Sequence, residues 1–141
     1  MVCESQNKSY LKSQNLRIIG KSTLRGEVKI SGAKNSSLVL LAASLLTNEK
    51  IILDNVPQLT DIKKMGNILE NLGVKLKNEH NQLIIDSKDI TIQELPNELV
   101  NGLRASFFCI GPLLTRFGEA SIPFPGGCNI GERPVDEHLM G

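Results

Sequence analysis

The sequence has no tryptophan, one tyrosine and four phenylalanines in 141 residues. So few rings leave little for stacking on bases or for an aromatic belt at a membrane interface. An excess of one charge is also missing. The 16 Lys and Arg stand against 15 Asp and Glu, a net of +1, which argues against a basic nucleic-acid binder. No apolar run reaches the roughly 18–20 residues that span a bilayer. The three cysteines, Cys3, Cys109 and Cys128, are widely spaced and form no CxxC pair, so neither a disulfide framework nor a zinc site is indicated. Two histidines without a carboxylate cluster point to no metal site. The polar start (MVCESQNKSYLKSQN) lacks the apolar core of a signal peptide. These absences predict a cytosolic protein with reduced thiols, no membrane or nucleic-acid partner, and no metal or other cofactor.

What is present is globular in character: 40% hydrophobic and 22% charged residues, enough for about one domain with a real core. Residues 1–15 read as a loose tail, with structure starting near Leu16. Residues 24–30 (LRGEVKI) read as a short strand before the Ser31-Gly32-Ala33 turn. Residues 36–47 (SSLVLLAASLLT) are apolar at nearly every position from 38 to 46. That predicts a helix buried on all sides, with other layers outside it. Residues 50–54 (KIILD) read as a strand. Thr60 or Asp61 is placed to cap a helix running to about Leu72, whose Ile62, Met65, Ile68, Leu69 and Leu72 share one face. Gly73 stops it.

Residues 74–77 and 83–86 then suggest a hairpin, and 90–92 an added edge strand. Residues 103–117 read as a second helix apolar on most sides, kinked at Gly111-Pro112. A short strand over 120–124 follows. Leu45-Leu46-Thr47 parallels Leu113-Leu114-Thr115. The segment from Thr60 to Gly66 parallels that from Val135 to Gly141, with Asp, Met and Gly at the same offsets. The matches are few enough for chance, but they suggest a repeat. On that basis the second unit stops about one turn into its helix, too short to be stable. The expectation is a piece of a longer protein.

Three places have residues suited to chemistry. The segment from Pro125 to Pro134 has three glycines in seven residues around Cys128, with Arg133 five residues on. A thiol in such a loop is exposed, is mostly protonated at neutral pH, and can donate a proton beside an arginine-held anion. It reads equally as a surface glycine loop with an incidental thiol. Lys34 and Asn35 lie between a strand and a helix, where unpaired N–H groups attract anions. Asn35 as a plain N-cap explains the same residues. Arg104 opens the second apolar helix, facing either a cleft or a structural ion-pair partner. Cys109, inside that helix, reads as core.

The chain has Gly-Glu-Val-x-Ile-Ser-Gly-Ala-Lys-Asn from Gly26 to Asn35 and Leu-Arg-Ala-Ser from Leu103 to Ser106. From Pro125 to Asp136 it has Pro-Gly-Gly-Cys-x-Ile-Gly-x-Arg-Pro-Val-Asp. In this order, over residues 16–141, the three motifs resemble the N-terminal part of the UDP-N-acetylglucosamine enolpyruvyl transferase family. The shikimate-pathway relative shares the fold but lacks this cysteine loop. The resemblance implies an α/β architecture, the inside-out enolpyruvyl transferase fold, made of repeated βα units with buried helices and here partial. It implies that residues 16–33 are strands and a crossover belonging to the other domain. It also implies that 34–141 form an incomplete repeat domain, cut in its second repeat.

The implied activity moves the enolpyruvyl group of phosphoenolpyruvate to the 3′-hydroxyl of UDP-N-acetylglucosamine and releases phosphate, the first committed step of peptidoglycan precursor synthesis. The resemblance assigns Lys34 and Asn35 to phosphoenolpyruvate. It assigns Arg104, Arg133, Pro134, Val135, Asp136 and Glu137 to the nucleotide sugar. It makes Cys128 the general acid, capable of a covalent adduct and the target of fosfomycin. The family's chains are much longer, and their missing C-terminal part supplies a base and a further arginine, so the 141 residues alone are expected to be inactive. A non-catalytic remnant or UDP-sugar-binding module is the competing expectation.

Overall fold

The computed structural model describes residues 23, 25–80, 82–101, 103–123 and 140. Helix α1 covers Lys34–Ala43 and continues as a 3-10 turn over Ser44–Leu46. Strand β1 is Lys50–Asp54, and helix α2 is Thr60–Asn71. Strands β2 (Lys75–Glu79) and β3 (Gln82–Asp86) make a hairpin whose turn has His80 in the left-handed region, φ 47°. Helix α3 is one turn, Asn97–Val100. A 3-10 segment over Arg104–Cys109 then runs directly into α4, Ile110–Phe117.

The three strands form one antiparallel sheet in the order β1-β3-β2. β3 is central and is the most covered of the three strands. Leu83 and Ile85 are buried, and Ile85 lies opposite Ile51 of β1 and Leu76 of β2. This apolar face packs with α2, whose Ile62, Met65, Ile68 and Leu69 are all buried, as is Leu72 just beyond it. The 3-and-4 spacing that predicted one face delivers it. Gly73 ends the helix with φ 94°, and a Cβ there would lie 2.6 Å from the Asp89 carbonyl oxygen, so the turn requires glycine. Leu38, Leu41, Ala42 and Leu45 complete the core with Leu95, Val100, Leu103, Cys109 and Leu113.

Several expectations are corrected. Residues 25–30 form no strand, and Val28 and Ile30 are 85% and 80% exposed. Among the described residues they have no ladder partner, and a strand without one leaves its backbone groups to water. Residues 90–92 are not a strand either; one bond, Thr91 N–H to the Leu72 carbonyl at 3.0 Å, ties them down. Residues 120–123 are likewise non-strand. Thr60 and Asp61 do not cap α2. The N-cap is Leu59, with no side-chain bond, and both residues lie inside the first turn.

Helix α1 is not buried all round. Val39 and Leu40 are 48% and 50% exposed while the opposite side is covered. The expected kink at Pro112 becomes the junction from 3-10 to α geometry. Pro112 is the third residue of α4, just past Cys109, where the 3-10 segment ends, so the residue without an N–H sits where the helical hydrogen-bond pattern changes. The loop from Pro125 to Pro134, and residues 135–139 and 141 of the suspected repeat, lie outside the described residues.

Candidate functional site

Lys34 is the first residue of α1, and Ala33 is its extended N-cap. Ser37 Oγ and the Ser37 N–H both donate to the Ala33 carbonyl at 3.0 Å, which closes the first turn. Asn35 is the second helical residue, so the N-cap explanation for it fails; its side chain is exposed. The chain reaches this point by a close crossing. A Cβ on Gly32 would sit 2.2 Å from the Asn55 carbonyl oxygen, so only glycine lets residues 31–33 pass over the β1–α2 connection. Asn55 itself is left-handed, φ 56°, which turns the chain sharply after β1. The crossing places the start of α1 beside the start of α2. Lys34 Nζ donates to Asp61 Oδ2 at 2.9 Å, with side chains 46% and 35% exposed.

Arg104 opens the 3-10 segment that packs against α1, where it is half-buried and engaged. Ser106 Oγ donates to the Leu103 carbonyl at 2.8 Å and fixes that turn. Lys34 and Asn35 therefore open one helical segment and Arg104 opens another that packs against it. Cys128, Arg133, Pro134, Val135, Asp136 and Glu137 lie outside the described residues. Cys109 is buried, and burial pushes its thiol up to about 12; it is core, as expected. Among the described residues no group of three His, Cys, Asp or Glu could hold a metal, and no helix is long and apolar enough to cross a membrane. A cavity of about 310 Å³ lies between α2 and the sheet, lined in part by Val56, Ile62, Gly66, Leu76 and Leu83. It contains none of the sequence-predicted site residues.

Two residues were not legible as important. Asp61 looked like a cap and is instead the partner of Lys34. Arg116 Nη1 donates to the carbonyls of Leu45 and Thr47 at 3.0 Å and of Ser87 at 2.9 Å, joining α4 to the end of the first helical segment and to the sheet's exit. A lone arginine near the end of an apolar helix was the only available signal.

Comparison with known proteins places the chain among relatives of one kind. The enolpyruvyl transferase NikO from Streptomyces tendae superposes with a TM-score of 0.62 at 26% identity, over 72% of this chain and 24% of that one. The UDP-N-acetylglucosamine 1-carboxyvinyltransferases of Prochlorococcus marinus strain MIT 9515 and subsp. pastoris strain CCMP1986 are both 82% identical over all 141 residues. That of Parasynechococcus marenigrum WH8102 is 56% identical over 126 residues, 89% of this chain and 29% of that one. The chain spans 31% of the length of the two Prochlorococcus relatives. The family model of EPSP synthase (3-phosphoshikimate 1-carboxyvinyltransferase) matches residues 18–141. With the match covering nearly the whole chain, and with the helices and sheet it implies in place, this chain belongs to the EPSP synthase family.

Proposed function

We propose that this chain contributes part of the site of an enolpyruvyl transferase that uses phosphoenolpyruvate and UDP-N-acetylglucosamine. In that reaction the sugar 3′-hydroxyl adds to C2 of phosphoenolpyruvate as C3 takes a proton. Loss of a C3 proton and of phosphate then leaves the enolpyruvyl ether. The observation that carries the reading is the 82% identity over all 141 residues to relatives named for this activity. The family model bears the name of the shikimate-type enzyme, but the relatives 82% identical to this chain are named for the UDP-N-acetylglucosamine reaction.

The residues divide the work by charge. Lys34, exposed at a helix N-terminus, and Asn35 hold the phosphoenolpyruvate anion. Arg104, with Arg133, Pro134, Val135, Asp136 and Glu137, holds the nucleotide sugar. Cys128 donates the proton to C3, which builds positive charge at C2 for the hydroxyl to meet. Residues 1–15 are a tail, 16–33 lead in from another domain, and 34–141 are part of a repeat domain. No cofactor or metal enters, and the site of action is the cytoplasm. Two substrates cannot be aligned by part of a cleft, so the remaining length found in the relatives completes the site.

The test is a chimera in which this chain replaces the 141 matched residues of the Prochlorococcus marinus MIT 9515 relative. It should release phosphate from phosphoenolpyruvate only when UDP-N-acetylglucosamine is present, within about tenfold of the parent kcat/KM, and Cys128→Ala should lose that release. A silent chimera beside an active parent overturns the reading. The isolated 141 residues should show no release; a measurable rate from them overturns the claim that the site needs completion.

A further inference from the structure

Lys34 stands where a cation is out of place. It is the first residue of α1, at the positive end of that helix's dipole, and the first turn of α1 has no acidic residue of its own. Nothing in helix energetics favours a lysine there. The compensating carboxylate comes from a different element, Asp61 in the first turn of α2. The backbone brings the two together through the Gly32–Asn55 crossing, which tolerates no side chain at residue 32. The ion pair is therefore set by the path of the chain as well as by the reach of two flexible side chains.

We propose that Asp61 is a positioning residue for Lys34. It accepts one of the three ammonium N–H groups and leaves two to meet an anionic oxygen. The proposal rests on the reading of Lys34 as a phosphoenolpyruvate ligand and adds to it. A lysine stem has four rotatable carbons and, without a partner, would follow the dipole's repulsion out to solvent. The pair remains partly open to solvent, so an incoming anion can reach the ammonium without displacing the carboxylate.

Asp61 has a second, opposite effect, because its charge weakens the field felt by an anion. The sign of the response to its removal separates orientation from simple charge balance. In the active chimera, Asp61→Asn should raise KM for phosphoenolpyruvate about fivefold or more, with kcat and KM for UDP-N-acetylglucosamine within about twofold. Asp61→Glu should recover most of the loss. A merely structural role would not move one substrate's KM alone. An unchanged or lowered KM in Asp61→Asn, beside a raised one in Lys34→Met, overturns the proposal and leaves the ligand reading standing. If Lys34→Met also leaves that KM unchanged, or the chimera is silent, the ligand reading falls and the proposal falls with it. Independently of turnover, the Lys34 side-chain ¹⁵N resonance of the 141-residue chain should shift in Asp61→Asn. No shift means that the pair does not form, and the proposal is then wrong.

Discussion

Cys109 shows how one buried group ties stability to pH. Its thiol sits at the end of the 3-10 segment with no exposed surface, and desolvation disfavours the thiolate. In the unfolded chain the same thiol titrates near 9.0, whereas in the fold it is pushed up to about 12. Between those values the unfolded state has lost the proton that the folded state keeps, so unfolding becomes easier as pH rises. The contribution is complete below pH 9 and is lost progressively towards 12. Urea midpoints measured from pH 8 to pH 11 should fall more steeply for the native sequence than for Cys109→Ala. Native Cys109 should also resist thiol reagents that modify it in urea. The sequence already suggested core here, because a thiol among apolar helical neighbours is far more often packing than chemistry.

At the scale of elements, α2 is where pattern and structure agree best. Its apolar residues recur at 3 and 4 and its polar residues point away, so a single solution buries them. Ile68 is fully buried at the centre of that face. Ile68→Ala should lower the unfolding free energy by about 2–4 kcal/mol through lost transfer and a residual cavity. Lys63→Ala, on the exposed side, should change it by less than about 0.5 kcal/mol. Urea denaturation of both variants measures the contrast.

Helix α1 was legible as a helix but not as a half-covered one, because a run apolar on every side does not say which side finds a partner. The short strands expected over 24–30 and 120–124 are absent from their described residues, 25–30 and 120–123, for a related reason. Alternation proposes a strand, but only a neighbour's backbone makes one. Capping at Thr60 failed because Thr60 and Asp61 lie inside the helix, and Asp61 spends its carboxylate on Lys34.

Across the molecule, Arg116 connects what the sequence separates by about seventy positions. One nitrogen serves the carbonyls that end the first helical segment and the carbonyl of Ser87, and the guanidinium also lies 5.1 Å from the Phe117 ring centroid. These backbone acceptors are partly buried and would lose a charged donor. Arg116→Met keeps the stem and removes the donors, so it should cost about 2–3 kcal/mol. Hydrogen exchange should quicken around residues 45–47 and 87 before it does in β3.

Local pattern was enough for β1, for α2 and its buried face, for the β2–β3 hairpin, and for the motifs that carry the family resemblance. In each of those cases neighbouring residues contain the information. The sheet order β1-β3-β2, the uncovered side of α1, the Gly32 crossing, and the partners of Lys34 and Arg116 were decided only when distant segments met. Periodicity specifies which residues want to leave water. It does not specify which backbone or charge, tens of residues away, will be there to receive them.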